Sequence, residues 1–193
     1  DITACMYPYD FWATYLGSPR FNAGWQERFR ISYGDLQVAG TSERLNESTF
    51  ARAQRENLLA AAYAIPPGDV ETALRSPLVM IGSDTGCFAR TLGRYVRDKP
   101  VIGLVDALAK MTIMPARRLE ARAEGLARKG RMQIGADADI TIFDPAVVID
   151  RSTVADPAQA SAGIEHVLVG GRVVLTPDGE LDESERMGRP VRG

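Results

Sequence analysis

The chain has 193 residues, with 23 basic against 25 acidic side chains and a formal net charge of −2. Hydrophobic residues make up 45% of it and charged residues 25%, a composition typical of a soluble globular protein. This balance argues against a nucleic-acid or membrane-surface partner, and no apolar run reaches the roughly 20 residues that span a bilayer. The first residues lack the pattern of a secretory signal, so a cytoplasmic protein is expected.

The first part of the chain predicts a strand, an insertion and a short helix. Residues 1–9 mix β-branched and aromatic side chains and predict a strand that runs into a loop at Pro8. Residues 11–63 are irregular and aromatic-rich, as expected of an insertion, with a helical stretch from about residue 47 to residue 62. Asp69 is then expected to cap a helix over residues 70–75.

The apolar run Pro-Leu-Val-Met-Ile at residues 77–81 predicts a buried strand of a parallel sheet. It stops at Gly82-Ser83-Asp84. The carboxyl ends of such strands carry the catalytic groups of α/β barrels, so Asp84 is the first candidate for a general base. From the local sequence alone, a cap or a turn is an equally good interpretation of this aspartate.

The second part of the chain predicts a helix followed by short strands. Apolar spacing favours a helix from residue 104 to about residue 123, with a kink or break at Pro115. After Gly130 the pattern changes to alternation, and the last two strands flank a Gly170-Gly171 hairpin turn. The predicted strands cover residues 132–134, 139–143, 166–169 and 172–175.

The cysteines and the histidine limit the metal chemistry. Cys5 and Cys87 have no CxxC spacing, which predicts two reduced, buried thiols and no disulfide or thiolate zinc site. A hydrolytic zinc site normally takes three or more ligands, drawn largely from histidine. His166 is the only histidine, and its strand position favours a structural role. The 193 residues therefore do not supply a zinc site by themselves.

Several segments together resemble one family. They are the opening DITACMYPYDFWATYL, the LVMIGSD that ends at Asp84, the stretch from Phe88 to Glu120, and KGRMQIGADADITIFDP at residues 129–145. In this order they are similar to the N-acyl-D-amino-acid deacylase branch of the amidohydrolase superfamily, which includes D-aminoacylases and D-glutamate and D-aspartate deacylases. The resemblance covers nearly the whole chain and only the C-terminal portion of the family's pattern.

The resemblance implies an α/β fold, the C-terminal part of a (β/α)8 amidohydrolase barrel plus a small β-sandwich segment. Residues 1–125 would hold barrel strand seven at residues 2–7, the insertion at residues 11–63, strand eight at residues 78–81 and the last helix. Residues 126–193 would form the β-sandwich segment and a tail.

The resemblance also implies roles for particular residues. Asp84 falls on the strand-eight aspartate that contacts the metal and works as general base and acid. Tyr7 and Tyr9 lie in a Tyr-Pro-Tyr similar to a segment that lines the substrate, although aromatic packing is the better account of at least one of them. Arg90, in a basic row with Arg94 and Arg97, is a weaker substrate-binding candidate, since such a row is usually a solvated face. The family's His-Pro-Arg after Asp84 is absent here.

The function implied is a zinc-dependent hydrolase, with one or two ions in the complete enzyme, that cleaves N-acyl-D-amino acids to a carboxylate and a D-amino acid. The remaining zinc ligands would come from a missing N-terminal part of the barrel or from a partner chain, so the isolated chain is expected to be inactive. Two alternatives stay open. One is a cyclic amidase or deaminase of the same superfamily, and the other is a non-catalytic fragment or the partner-binding half of a split enzyme.

Overall fold

The chain folds into two compact units of mixed α/β structure. The computed structural model describes residues 2–82, 86–181 and 188–191. Unit 1 combines Asp1–Tyr7, Leu74–Asp150 and Ser161–Gly193, whereas unit 2 combines Pro8–Ala73 and Arg151–Ala160. The mixed α/β class is as predicted, and the predicted insertion of residues 11–63 lies inside unit 2. Among the described residues, no helix is long and apolar enough to cross a membrane.

Unit 1 contains a pair of parallel strands, β1 (Ala4–Met6) and a strand at Val79–Ile81 that is β5 in chain order. Ala4 pairs with Val79, and Met6 pairs with Ile81. Residues 79–81 of the apolar run therefore form a parallel strand, as predicted, whereas Pro77 and Leu78 lie in an exposed turn before it. Because the pair is parallel, both strands end at the same edge of the sheet.

Unit 2 is built on a three-stranded antiparallel sheet in the order β2-β4-β3. The strands are β2 (Trp12–Tyr15), β3 (Leu36–Val38) and β4 (Leu59–Ala62). Its core is aromatic, with Trp25 packed on Phe21, Tyr33 and Phe50 at ring-centroid distances of 5.5, 5.6 and 5.3 Å. Rings of this size bury enough apolar surface to give a unit of this length a core of its own.

The helix that precedes β4 is shorter than predicted. The helix expected over residues 47–62 is wrong in its second half, because α2 spans only Glu47–Arg55 and β4 follows it. Asn57 has a left-handed φ of 51° that stops the helix, and pairing on both sides of β4 outweighs the helix propensity of its alanines. The first helix of the unit, α1, is Trp25–Phe29.

The next helix begins earlier than predicted. Helix α3 spans Pro67–Arg75, so Asp69 lies inside its first turn and does not cap it. Proline suits the first turn of a helix because its fixed φ is already helical and its missing N–H has no partner to lose there.

Unit 1 continues with helices that pack beside the parallel pair. Helix α4 (Cys87–Arg90) passes directly into a wider π-helix at Thr91–Asp98. The helix predicted over residues 104–123 is two shorter ones, α5 (Leu104–Met111) and α6 (Ile113–Leu119), separated at Thr112. Pro115 accounts for the break, since its ring would clash with the carbonyl of Met111 and it has no N–H to donate.

A buried lysine ties α5 to the start of β5. The Nζ of Lys110 donates to the carbonyl oxygens of Ser76 and Val79, the latter at 2.8 Å. Burial lowers the pKa of this ammonium group, while Asp106 opposes the shift. The two carbonyls partly replace the water that the ammonium loses.

A three-stranded antiparallel sheet completes unit 1, in the order β6-β7-β8. Its strands are β6 (Ile140–Phe143), β7 (Ile164–Val169) and β8 (Arg172–Leu175). Gly170 and Gly171 have φ values of 58° and 85° and form the predicted hairpin turn, in which both central residues need positive φ. The strand expected at residues 132–134 is wrong. These residues form a loop that leads into the turn at Gly135, and their apolar side chains are exposed.

An ion-pair cluster joins the loop before β6 to the hairpin turn. Lys129 pairs with both Asp137, at 3.0 Å, and Asp139, and the backbone N–H of Gly170 donates to Asp139 at 2.8 Å. The hydrogen bond from Lys129 and then that from Gly170 hold the pKa of Asp139 below its ordinary value of 3.8. Hydrogen bonds to Asp139 and then Asp137 raise the pKa of Lys129 above 10.5.

We expect Asp139→Asn to destabilise the chain at neutral pH by up to about 1 kcal/mol, since the pair is partly exposed. The folded-state pKa of Asp139 is depressed, so its contribution is present above pH 3.8 and disappears as the pH falls through the lower folded value. Denaturant unfolding of both proteins between pH 2 and pH 7 measures the difference. A difference that grows toward acid pH would contradict the assignment.

Candidate functional site

The carboxyl edge of the β1–β5 pair brings two predicted site segments together. Tyr7 follows β1 directly, and Gly82 follows β5 and donates its N–H to the carbonyl oxygen of Met6 at 2.7 Å. Asp84, the predicted catalytic and metal-binding residue, comes two residues later in the sequence and lies outside the described residues. Gly82 and Gly86 are the described residues on either side of the segment that contains Asp84.

Gly82 is required by close packing at this edge. A Cβ atom at this position would lie 2.7 Å from Cε1 of Tyr7 and 3.0 Å from Sγ of Cys5. The distance to Tyr7 is too short for a real Cβ atom and the distance to Cys5 is tighter than most, so the Tyr7 ring lies directly against the backbone of Gly82. We did not single out Gly82 from the sequence, although a glycine between an apolar strand and Ser-Asp is a usable signal of close approach.

The two predicted tyrosines differ in their exposure to solvent. Tyr7 is 48% exposed, whereas Tyr9 is 6% exposed and packs its ring 5.1 Å from that of Phe11 inside unit 2. Aromatic packing therefore accounts for Tyr9. Tyr7 is half exposed and lies beside the end of β5.

The basic row is not a solvated face, contrary to expectation. Only Arg94 is exposed. Arg90 forms an ion pair with Asp150 at 3.2 Å, and Arg97 donates to the carbonyl oxygen of Val148 at 2.7 Å. The segment that receives both arginines is more than 50 residues away in sequence, which is why no local pattern indicated these contacts.

The structure also places the two cysteines and the single histidine, none of which was predicted to bind a metal. Cys87 is buried as expected, but Cys5 is exposed, so the prediction of two buried thiols is wrong for Cys5. The short strand β1 leaves that side chain open to solvent. His166 lies on β7, in the sheet opposite Ile142, and its Nδ1 is buried with no hydrogen-bond partner among the described residues.

The described part of the chain does not form a metal site. Within residues 2–82, 86–181 and 188–191, no group of three or more His, Cys, Asp or Glu side chains could hold a metal ion. A zinc site needs at least three such ligands. The donor set of the described residues therefore does not fit zinc.

Comparison with known proteins assigns the chain to a family. Residues 68–175, more than half of the chain, match the model of the amidohydrolase family. The chain therefore belongs to the amidohydrolase family. Its relatives are D-aminoacylases and N-acyl-D-glutamate deacylases, which confirms the branch indicated by the sequence.

One curated relative and two solved structures illustrate this similarity. The chain is 35% identical to N-acyl-D-glutamate deacylase of Alcaligenes xylosoxydans xylosoxydans over its whole length, which is 41% of that enzyme. A crystal structure of D-aminoacylase aligns with a TM-score of 0.80 and 27% identity, covering 100% of this chain and 43% of the other. The chain thus has an amidohydrolase fold and spans about two fifths of the length of its relatives.

The second structure is N-acyl-D-glutamate deacylase from Bordetella bronchiseptica complexed with zinc and a phosphonate inhibitor, a mimic of the tetrahedral intermediate. It aligns with a TM-score of 0.72 and 31% identity over 94% of this chain and 42% of that one.

Proposed function

We propose that the complete enzyme containing this chain hydrolyses the amide bond of N-acyl-D-amino acids, releasing a carboxylate and a D-amino acid. The observation that carries this proposal is the parallel β1–β5 pair, which ends in the exposed Tyr7 on one strand and leads to Asp84 on the other. The similarity of the entire chain to N-acyl-D-glutamate deacylase supports the same substrate class.

The finer architecture is part of the proposal. β1 and β5 would be strands seven and eight of a (β/α)8 barrel, with residues 1–125 in the barrel. Residues 126–193 would contribute β6, β7 and β8 to a β-sandwich. Ala4 and Cys5 on β1 are exposed in this chain. In a closed barrel each strand has a neighbour on both sides, so further strands of the complete enzyme would cover β1, and the exposure supports this architecture.

Asp84 is the proposed general base and acid. A carboxylate at the carboxyl end of a barrel strand can take a proton from the attacking water and return it to the leaving nitrogen. The phenol of Tyr7 is placed to donate to the scissile carbonyl or to the acyl group, where negative charge develops. Tyr9 and Arg90 have structural partners, so neither is assigned to the substrate.

The complete enzyme is proposed to bind one or two zinc ions, as the related N-acyl-D-glutamate deacylase is complexed with zinc. Zinc would supply Lewis-acid polarisation of the substrate carbonyl. Asp84 is the one residue of this chain proposed as a ligand, and the others would come from a further part of the barrel or a partner chain. The 193-residue chain alone is therefore expected to be inactive, and the cytoplasmic location stays a prediction.

The test is Asp84→Asn in the complete, zinc-loaded enzyme. We expect kcat/KM for the preferred substrate among N-acetyl-D-glutamate, N-acetyl-D-aspartate and a neutral N-acetyl-D-amino acid to fall by about 10²–10⁴, the usual contribution of a general base. Asp178→Asn, a change of the same kind at an exposed residue of unit 1, is the matched control and should leave the rate unchanged.

Activity of Asp84→Asn within twofold of the unchanged enzyme would refute the role of the aspartate. Hydrolysis of a cyclic amide in place of the N-acyl-D-amino acids would favour the cyclic amidase alternative. Absence of any hydrolysis by the zinc-loaded complete protein would favour a non-catalytic role.

A further inference from the structure

Tyr7 and Gly82 lie on the same face of the β1–β5 pair. Cys5 pairs with Met80 in parallel register, and successive residues of a strand alternate between the two faces of a sheet. Tyr7 and Gly82 come two residues after this pair on their strands, so both return to the same face. The N–H of Gly82 donates to the carbonyl oxygen of Met6 at 2.7 Å, which continues the pairing past the end of β5.

The ring of Tyr7 occupies the space that a side chain at position 82 would need. A Cβ atom on Gly82 would lie 2.7 Å from Cε1 and 3.2 Å from Cδ1 of Tyr7, so one edge of the ring faces the glycine backbone. Sγ of Cys5 borders the same space at 3.0 Å. Gly82 is buried, whereas Tyr7 is 48% exposed. The Tyr7 side chain is thus held along one edge of its ring and is still half exposed.

The contact with Tyr7, and not the backbone conformation, is what requires a glycine at position 82. Gly82 does not belong to the glycines with positive φ, so alanine can adopt the same backbone. Non-bonded carbon atoms pack best at about 3.5–4.0 Å. Since the Cβ of an alanine would lie 2.7 Å from Cε1 of Tyr7, it would displace the edge of the ring by about 1 Å.

A displacement of this size matters for a group that acts on a substrate. The phenol of Tyr7 is proposed to donate to the scissile carbonyl or to the acyl group. A donor of this kind stabilises developing charge only within hydrogen-bond distance of the oxygen that carries it. Misplacement of a reacting or stabilising group by about 1 Å can cost about 10²-fold in rate.

We propose that Gly82 is a positioning residue for Tyr7: its missing side chain lets the ring lie against the end of β5 and thereby sets where the phenol meets the substrate. This inference rests on the proposed function, in which that phenol donates to the substrate. It adds Gly82 to the residues that affect the reaction, although a glycine has no side chain of its own to contribute.

The experiment compares Gly82→Ala with Gly103→Ala in the complete zinc-loaded enzyme. Gly103 lies in the same unit and has a φ of −72°, and its Cβ would lie 3.7 Å from the Asp106 carboxylate, an ordinary contact. We expect Gly82→Ala to lower kcat for the preferred N-acetyl-D-amino acid by about 10-fold to 100-fold, with KM changed less than about threefold. Gly103→Ala should leave both constants unchanged.

Fluorine NMR gives a readout independent of activity. With 3-fluorotyrosine incorporated at position 7 of the complete enzyme, Gly82→Ala should shift the fluorine resonance, because the new methyl group moves the edge of the ring. Gly103→Ala should not shift it. An unchanged resonance in Gly82→Ala, or a kcat within twofold of the unchanged enzyme, would overturn the proposal. A rise in KM with unchanged kcat would also overturn it, since a misplaced donor at the reacting bond lowers kcat.

A double-mutant comparison shows whether Gly82 acts through the ring. In the Tyr7→Ala background no ring opposes the new methyl group, so Gly82→Ala should cause no further loss of kcat and the double variant should melt at the temperature of Tyr7→Ala. A full additional loss of kcat, or a double variant that does not fold, would overturn the positioning role. Full activity of Tyr7→Ala alone would instead refute the proposed role of the phenol, whereas the fluorine resonance would still report the contact.

Discussion

Replacement of Trp25 with alanine is expected to lower the free energy of unfolding of unit 2 by about 3–5 kcal/mol, the usual cost of removing a large buried aromatic side chain. Trp25 is buried between the rings of Phe21, Tyr33 and Phe50, and it stacks on Phe50 with an interplanar angle of 23°. Its removal leaves a cavity that three rigid rings cannot close.

Denaturant unfolding followed by far-UV circular dichroism, with hydrogen exchange of the β4 amides, measures the loss in unit 2. Tyr15→Ala is the matched control, because this ring belongs to the same unit and is 56% exposed. It should cost no more than about 1 kcal/mol. Similar costs for Trp25→Ala and Tyr15→Ala would mean that the aromatic cluster is not the core of the unit.

Gly130→Ala is expected to destabilise unit 1 by about 2–4 kcal/mol, the sum of backbone strain and overpacking. Gly130 has a φ of 67°, and a Cβ atom there would lie 2.5 Å from the carbonyl oxygen of Thr112. That carbonyl belongs to the break between α5 and α6. Because the clash is with backbone atoms, no side-chain rotation can relieve it.

Gly135→Ala separates the two contributions. Gly135 also has a positive φ, of 86°, but no atom lies within 4 Å of the position that its Cβ would take. Its substitution should therefore cost about 1 kcal/mol, from backbone strain alone. Chemical denaturation of both variants gives the comparison, and equal losses would show that the contact with Thr112 contributes nothing.

Short-range patterns predicted the parts of the fold in which local sequence and tertiary contacts agree. The apolar run of β5 and the Gly170-Gly171 hairpin have this agreement, and both are confirmed. The sequence Leu59-Ala-Ala-Ala predicts a helix by propensity, yet it forms the central strand β4. Its two neighbours, β2 and β3, come from distant parts of the chain, so no local pattern could indicate the pairing.

The sequence predicted which residues form the candidate site, but it did not predict the long-range contacts that hold the neighbouring helix in place. The resemblance pointed to Asp84 and to the Tyr-Pro-Tyr, and exposure then distinguished Tyr7 from Tyr9. The ion pair between Arg90 and Asp150 joins residues 60 positions apart. A contact of that range depends on how α4 packs against residues 148–150, which composition and periodicity do not describe.

The separate core of unit 2 has a consequence for substitutions. Its rings and its three-stranded sheet are contained within Pro8–Ala73 and Arg151–Ala160, whereas the register of β1 with β5 is set entirely by residues of unit 1. Because no residue of this core cluster takes part in the β1–β5 register, a substitution in one set of residues removes no contact of the other set.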